Sequence, residues 1–335
     1  MTIVTAAAMV AAGAWIFVLL SPASDRSLPA SSSNASSDAP MTTLASTTRA
    51  VPSAAEAAGQ AMVQLRAVTT HGVVLVTGIA VAEGGLIATT ADALSGLRSL
   101  AMIGPDGHLL RASVMGVDRD SDVALVTVPD DVPVAPFADD TGLAAGAPDM
   151  TLTLAGSNDG TPVLHCDPGS VSDVGGPVSQ GPADGMPAIF STAPGVLEEA
   201  GDPLLNASGA VIGLLYDDDS AAGADTITFL PSQLVLGVAD DLRSTDRVAP
   251  GWLGVGGTTA ANSTGAAVMT VIADSPAAGV LTPGEVIVGV NSVPVRTMAE
   301  LRARLYVLTP HSPVALSVID GTATKVVDVT LGGGS

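Results

Sequence analysis

"LEEAGDPLLNASGAVIG", residues 197 to 213, decides how this chain folds. Its end runs into AVIGLLY (210–216), an apolar strand, and its start is a loop that carries alanine at position 200. Working outward, similar short runs recur: GVVLVTGIAVA (72–82), GLIATT (85–90), SLAMIG (99–104), LLRASVMGV (109–117), DVALVTV (122–128), DMTLTLAG (149–156), AIFST (188–192) and TITFLP (226–231). Gly, Pro and Asp punctuate them, and short strands at such spacing predict an all-β barrel or sandwich. Asp106-Gly107 is a hairpin turn by composition. AAEAAGQAMVQLRAV (54–68) reads as a short helix entering a strand, and PSQLVLGVADDLRS (231–244) as a second helix.

Composition excludes several functions. The 335-residue chain carries 12 Lys plus Arg against 33 Asp plus Glu, a net charge of −21, which repels phosphate backbones and argues against nucleic acid. Aromatic residues are 2 % of the chain, too few for base-stacking surfaces. The single cysteine, Cys166, allows no internal disulfide and no cysteine-based metal site. No cofactor is expected.

Residues 3 to 20, IVTAAAMVAAGAWIFVLL, form an uncharged apolar run. At about 1.5 Å per residue it spans about 27 Å, and residues 1–20 read as a transmembrane anchor or an uncleaved signal. Residues 21–56 are rich in Ser, Ala, Thr and Pro and read as a disordered linker with a reach of roughly 30–36 Å. The folded part then divides into a barrel unit at 57–236, a linker at 237–250 and a second unit at 251–333.

GIAVAEGGLIATTADAL (78–94), GVDRDSDVALVTVP (116–129) and LEEAGDPLLNASGAVIGLLYD (197–217) occur in the order and spacing of HtrA/Deg-type serine proteases, which the chain resembles. The resemblance implies a chymotrypsin/trypsin-like pair of six-stranded β-barrels. The family's catalytic His falls on Asp92, its Asp on Asp122 and its Ser on Ala200. An oxyanion-hole glycine falls on Glu198, and the second glycine after the nucleophile on Asp202. Acylation needs a hydroxyl, an imidazole and an orienting carboxylate, and losing one member costs on the order of 10⁴–10⁶ in rate. No serine lies between 192 and 207. Of the four histidines, His71, His108 and His311 read as loop or surface residues, and His165-Cys166 as neighbours pointing to opposite faces of a strand. Asp122, lacking an imidazole, needs other donors, with Ser121, Thr89 and Thr90 as candidates. Asp92 facing Asp122 is a weak cation candidate, as is the acidic run YDDDSAAGAD (216–225). The expectation for metal is none.

GWLGVGG (251–257), GAAVMTVIADSPAAGVLTPGEVIVGVNSVPV (265–295), TMAELRARLYV (297–307) and PVALSVIDGTATKVVDVTL (313–331) resemble a PDZ domain, a small α+β fold. The resemblance implies β-augmentation by a peptide C-terminus. The carboxylate would meet Gly251-Trp252-Leu253-Gly254, with Val255 opening the pairing strand. Met298 and Arg302, four apart on one helix face, would form the opposite wall. Leu301 and Leu305 read as core.

These features lead to a stated expectation: a membrane-tethered, catalytically inactive, HtrA-like scaffold or regulator, not an enzyme. It would be single-pass with extracytoplasmic domains, binding chain ends and forming homo-oligomers or envelope complexes. An active HtrA-like serine endopeptidase with unrecognised catalytic residues is the alternative, and an envelope chaperone a second one.

Overall fold

The computed structural model describes residues 53–156, 162–192, 199–216, 226–261 and 264–333. The expected anchor, the linker before residue 53, Glu198 and the acidic run from 217 to 225 lie outside the described residues. Among the described residues no helix is long and apolar enough to cross a membrane.

Helix α1 (Ser53–Gln60) turns directly into β1 (Met62–Thr69), as the Ala-rich stretch followed by MVQLRAV predicts. β1 pairs antiparallel with β2 (Val73–Ala82) across a tight turn. Then follow β3 (Leu86–Thr90), β4 (Leu97–Ile103), β5 (Leu109–Arg111), β6 (Ser113–Asp118) and β7 (Val123–Thr127). These seven strands form one sheet in the order β5-β4-β1-β2-β3-β7-β6. It therefore differs from the expected six-stranded barrel. The run LLRASVMGV breaks at Ala112, which is buried and donates its N–H to Leu100 O (3.2 Å). Its two halves pair with β4 and β7 respectively and end up at opposite edges.

The second layer is a closed six-stranded barrel from β8 (Pro148–Gly156), β9 (Pro162–Pro177), β10 (Pro187–Ser191), β11 (Pro203–Asn206), β12 (Val211–Leu215) and β13 (Ile227–Pro231). Of β9, with 16 residues, the sequence reading places only His165-Cys166 on a strand. Its Pro, Gly, Ser and Asp content hides the period of two; pairing with β8 and β10 is what extends it. Within β9, Cys166 faces inward and His165 outward. Helix α2 (Ser232–Thr245) buries Leu234, Val235, Val238 and Leu242 in the core shared with the first sheet.

The C-terminal part is β14 (Gly251–Trp252), β15 (Val255–Thr259), β16 (Ala266–Val271), β17 (Val286–Val290), β18 (Val293–Pro294), α3 (Met298–Tyr306), β19 (Pro313–Asp320), β20 (Ala323–Thr330) and β21 (Gly332–Gly333). Thr297 caps α3 by accepting the Glu300 N–H (3.1 Å). Two faces of α3 are buried. Leu301 and Leu305 enter the C-terminal core, whereas Ala303 and Tyr306 join the barrel core. Polar contacts complete the joint: Thr297 Oγ1 donates to Gly175 O (2.7 Å), Tyr306 OH to Asp118 Oδ2 (2.8 Å), and Arg296 pairs with Glu300 (2.7 Å) while approaching Asp140 (3.8 Å).

Candidate functional site

Asp92, Asp122 and Ala200, far apart in sequence, line one cleft of about 420 Å³. The same cleft is bordered by Thr69, His71, Val74, Leu75, Thr90, Ser95 and Glu199. Asp92 opens a single 3₁₀ turn (Asp92–Leu94) after β3. Asp122 follows β6 in a left-handed conformation (φ 56°), and its Oδ1 accepts the Asp92 backbone N–H at 2.7 Å. One donor to Asp122 is thus a backbone group. Ser121 Oγ donates instead to Asp118, Thr89 Oγ1 donates to Thr77 O (2.7 Å), and Thr90 Oγ1 has no partner. The Asp92 carboxylate is exposed. Among the described residues no group of three or more His, Cys, Asp or Glu side chains is arranged to hold a metal ion.

The loop 199–202 is held from below. Thr77 N–H donates to Ala200 O (3.0 Å) and Gly201 N–H to Leu215 O (3.0 Å). Gly201 has φ 86°, and a Cβ there would stand 2.0 Å from Thr77 O, so only glycine fits. Asp202 is fully buried; its Oδ2 accepts from Thr153 Oγ1 (2.6 Å) and Glu199 N–H (3.0 Å), while Oδ1 has no partner. Burial pushes its carboxyl up to about 7, against the lowering effect of the Thr153 hydroxyl. Burial also raises the Glu199 carboxyl above the ordinary glutamate value, partly offset by Gln64, whose Nε2 approaches Glu199 Oε2 at 3.4 Å.

His71, read in sequence as a loop or surface residue, is an exposed turn residue that also borders this cleft. It sits in the turn between β1 and β2, which Thr70 N–H anchors to Gly96 O (2.9 Å), just beyond the Asp92 turn. That bond swings an imidazole over the cleft from 21 positions upstream of Asp92. Its Nδ1 lies 3.3 Å from Thr70 Oγ1. The pairing of β1 with both β2 and β4 creates this juxtaposition, and no local motif announces it.

A second open cavity, about 510 Å³, lies between β15 and α3. Trp252, Leu253, Gly254, Val255, Met298 and Arg302 line it, as do Gly257, Thr258 and Thr259. Gly251 does not; it is buried behind, paired with Gly333. Gly254 has φ 81° and packs against Ser275, so the turn beside the cavity requires glycine. Arg302 donates to Asp184 O (2.6 Å), and Pro177 and Gly185 complete the rim, so the barrel supplies one wall.

Residues 76–214 match the model of a trypsin-like peptidase domain, and residues 251–331 that of a PDZ domain. A Synechocystis sp. protein, provisionally named serine protease HhoB, is 27 % identical over 281 residues, covering 76 % of this chain and 66 % of its own. A Rhizobium meliloti protein named "Probable periplasmic serine endoprotease DegP-like" is 27 % identical over 274 residues, covering 76 % and 53 %. The chain thus spans about half to two thirds of the length of these curated relatives. The structure of "HtrA-type protease AlgW with tripeptide" superposes with a TM-score of 0.61 at 19 % identity, over 84 % of this chain and 96 % of that one, which shows a shared fold. A trypsin-like barrel joined to a PDZ domain defines the class. In these two domains and their order the chain is similar to HtrA-type and DegP-like proteases.

The expectation that the chain is a catalytically inactive scaffold and not an enzyme is overturned by these relatives, which are named as serine proteases and endoproteases. That expectation rested on Asp92, Ala200, Glu198 and Asp202 standing at the family's motif positions and on no histidine lying near them in sequence. Folding brings His71 and the carboxylates of Asp92, Asp122 and Glu199 around one cavity.

Proposed function

We propose that the protein is an HtrA-type endopeptidase of the cell envelope, anchored by residues 3–20, that holds a polypeptide end in its PDZ cavity. The cleft at Ala200 then receives an extended segment for hydrolysis. The observation that carries this reading is that an imidazole and three carboxylates line one cleft of a peptidase fold. The relatives named as periplasmic endoproteases support both the activity and the compartment.

Because Ala200 has no hydroxyl, the nucleophile is water. His71 takes a proton from that water as the oxygen adds to the peptide carbonyl. The imidazolium so formed offsets the charge on the carbonyl oxygen. As the C–N bond breaks, the His71 imidazolium gives that proton to the departing amine. Asp122 holds the Asp92 turn through the backbone N–H and so fixes the cleft wall.

The PDZ cavity offers Gly254 and Val255 for strand addition, and Trp252 and Met298 as apolar walls for a C-terminal side chain. The test is turnover of an unfolded protein by the full-length chain, compared with its His71→Ala variant. Cleavage by the wild type that falls at least about a hundredfold in His71→Ala supports the reading. A wild type that cleaves nothing overturns it.

A further inference from the structure

We infer that the cleft at Ala200 binds a lysine or arginine side chain of the polypeptide it receives. This names the substrate class of the proposed peptidase and depends on that proposal only for the steps after binding.

Charge is the first ground. Asp92, Asp122 and Glu199 border the cleft, and none of the described residues lining it is Lys or Arg. Asp92 is exposed and Glu199 half-buried. The chain's net charge of −21 adds a field that draws cations toward any such concavity.

The donors and acceptors agree. A site for an anion needs convergent N–H groups, yet those of Glu199, Gly201 and Asp202 are spent on Asp202 Oδ2, Leu215 O and Glu199 O. The Asp92 N–H is likewise taken by Asp122. By contrast Thr90, 2 % exposed and lining the cleft, has a hydroxyl without a partner, and its oxygen can accept from an ammonium or guanidinium N–H. A buried hydroxyl left unpaired costs free energy that a donor on the ligand recovers.

Shape supplies the rest. Val74 and Leu75, each 38 % exposed, form an apolar wall beside the carboxylates. Lysine and arginine combine an apolar stem with a charged head, and this pairing of wall and carboxylates suits both parts. Neither a glutamate nor a purely aliphatic side chain uses both.

Direct binding tests this without turnover. Full-length protein at about pH 8 is titrated with a fluorescein-labelled probe peptide carrying one central lysine. Its C-terminus is amidated, so carboxylate capture in the PDZ cavity does not contribute. Companion probes carry norleucine or glutamate at the same position. The lysine probe should bind at least about tenfold tighter than the norleucine probe in about 50 mM salt, with the gap shrinking at about 500 mM. In Asp92→Asn/Glu199→Gln the two probes should bind within about twofold of each other. A separate peptide with a free C-terminus, bound equally by variant and wild type, shows that the variant is folded. Equal binding of lysine and norleucine probes, absence of binding by all three, or an undiminished gap in the double variant overturns the inference. Lysine-selective binding without any turnover leaves it standing and sinks the peptidase reading instead.

Discussion

Replacing Asp202 by asparagine should stabilise the protein at pH 8 and change little near pH 4. The carboxyl is fully buried, with Oδ2 satisfied by Thr153 Oγ1 and the Glu199 N–H and Oδ1 without a partner. Burial raises it from 3.8 to about 7. A group whose value is higher in the folded state lends its stability fully below the unfolded value and loses it as pH climbs through the folded one. The window is therefore about pH 4 to 7. At 1.36 kcal/mol per unit, a rise of about three units sets a ceiling of about 4 kcal/mol. Asparagine keeps an acceptor for Thr153 and Glu199 and carries no charge. Its NH₂ also gives a donor toward the Thr77 hydroxyl, which acts on the Asp202 carboxyl in the wild type. Urea unfolding of wild type and variant across that window, at fixed ionic strength, reads the difference. The variant should gain about 2–4 kcal/mol on the wild type between the acidic and alkaline ends. A stability difference that stays flat with pH would refute the assignment of a raised, buried carboxyl.

Other outcomes follow from the same geometry. Gly201→Ala places a Cβ 2.0 Å from Thr77 O at φ 86° and should cost about 2–4 kcal/mol in urea unfolding, with distortion of the 199–202 loop. Tyr306→Phe removes the 2.8 Å hydrogen bond to Asp118 across the joint between α3 and the β6–β7 turn, and should cost about 1–2 kcal/mol by the same assay. Trp252→Ala removes one apolar wall of the PDZ cavity and should weaken a C-terminal peptide at least about tenfold by fluorescence anisotropy, leaving unfolding of the barrel unchanged. Lys325, the chain's one lysine, holds the buried Glu285 at 2.5 Å; Lys325→Met should lower the urea midpoint of the C-terminal domain.

Much of the architecture was legible because it is written in local pattern. Runs such as DVALVTV and AVIGLLY, bounded by turn residues, became β7 and β12. PSQLVLGVADDLRS became α2, and TMAELRARLYV became α3 behind its Thr297 cap. What escaped depends on tertiary pairing. β9 has too little apolar alternation to be seen until β8 and β10 flank it. The division of LLRASVMGV follows from two partners that lie on opposite edges of one sheet. Asp92, Asp122 and Ala200 could be placed by resemblance, and they do line one cleft. His71 could not, since a histidine beside a Thr-Gly turn carries no signal until the turn docks on Gly96. Asp202 shows the reverse case. Its departure from glycine is visible in sequence, but its burial and its hold on the Glu199 N–H are not.

The most direct test of the account is cleavage itself. Full-length protein would be incubated with unfolded casein, before and after treatment with a fluorophosphonate, and alongside the His71→Ala variant, with products followed by mass spectrometry. The account predicts cleavage that survives the fluorophosphonate, because position 200 offers no hydroxyl, and that is lost with His71. No cleavage by the wild type, or cleavage that the inhibitor blocks and that ignores the loss of His71, would contradict it.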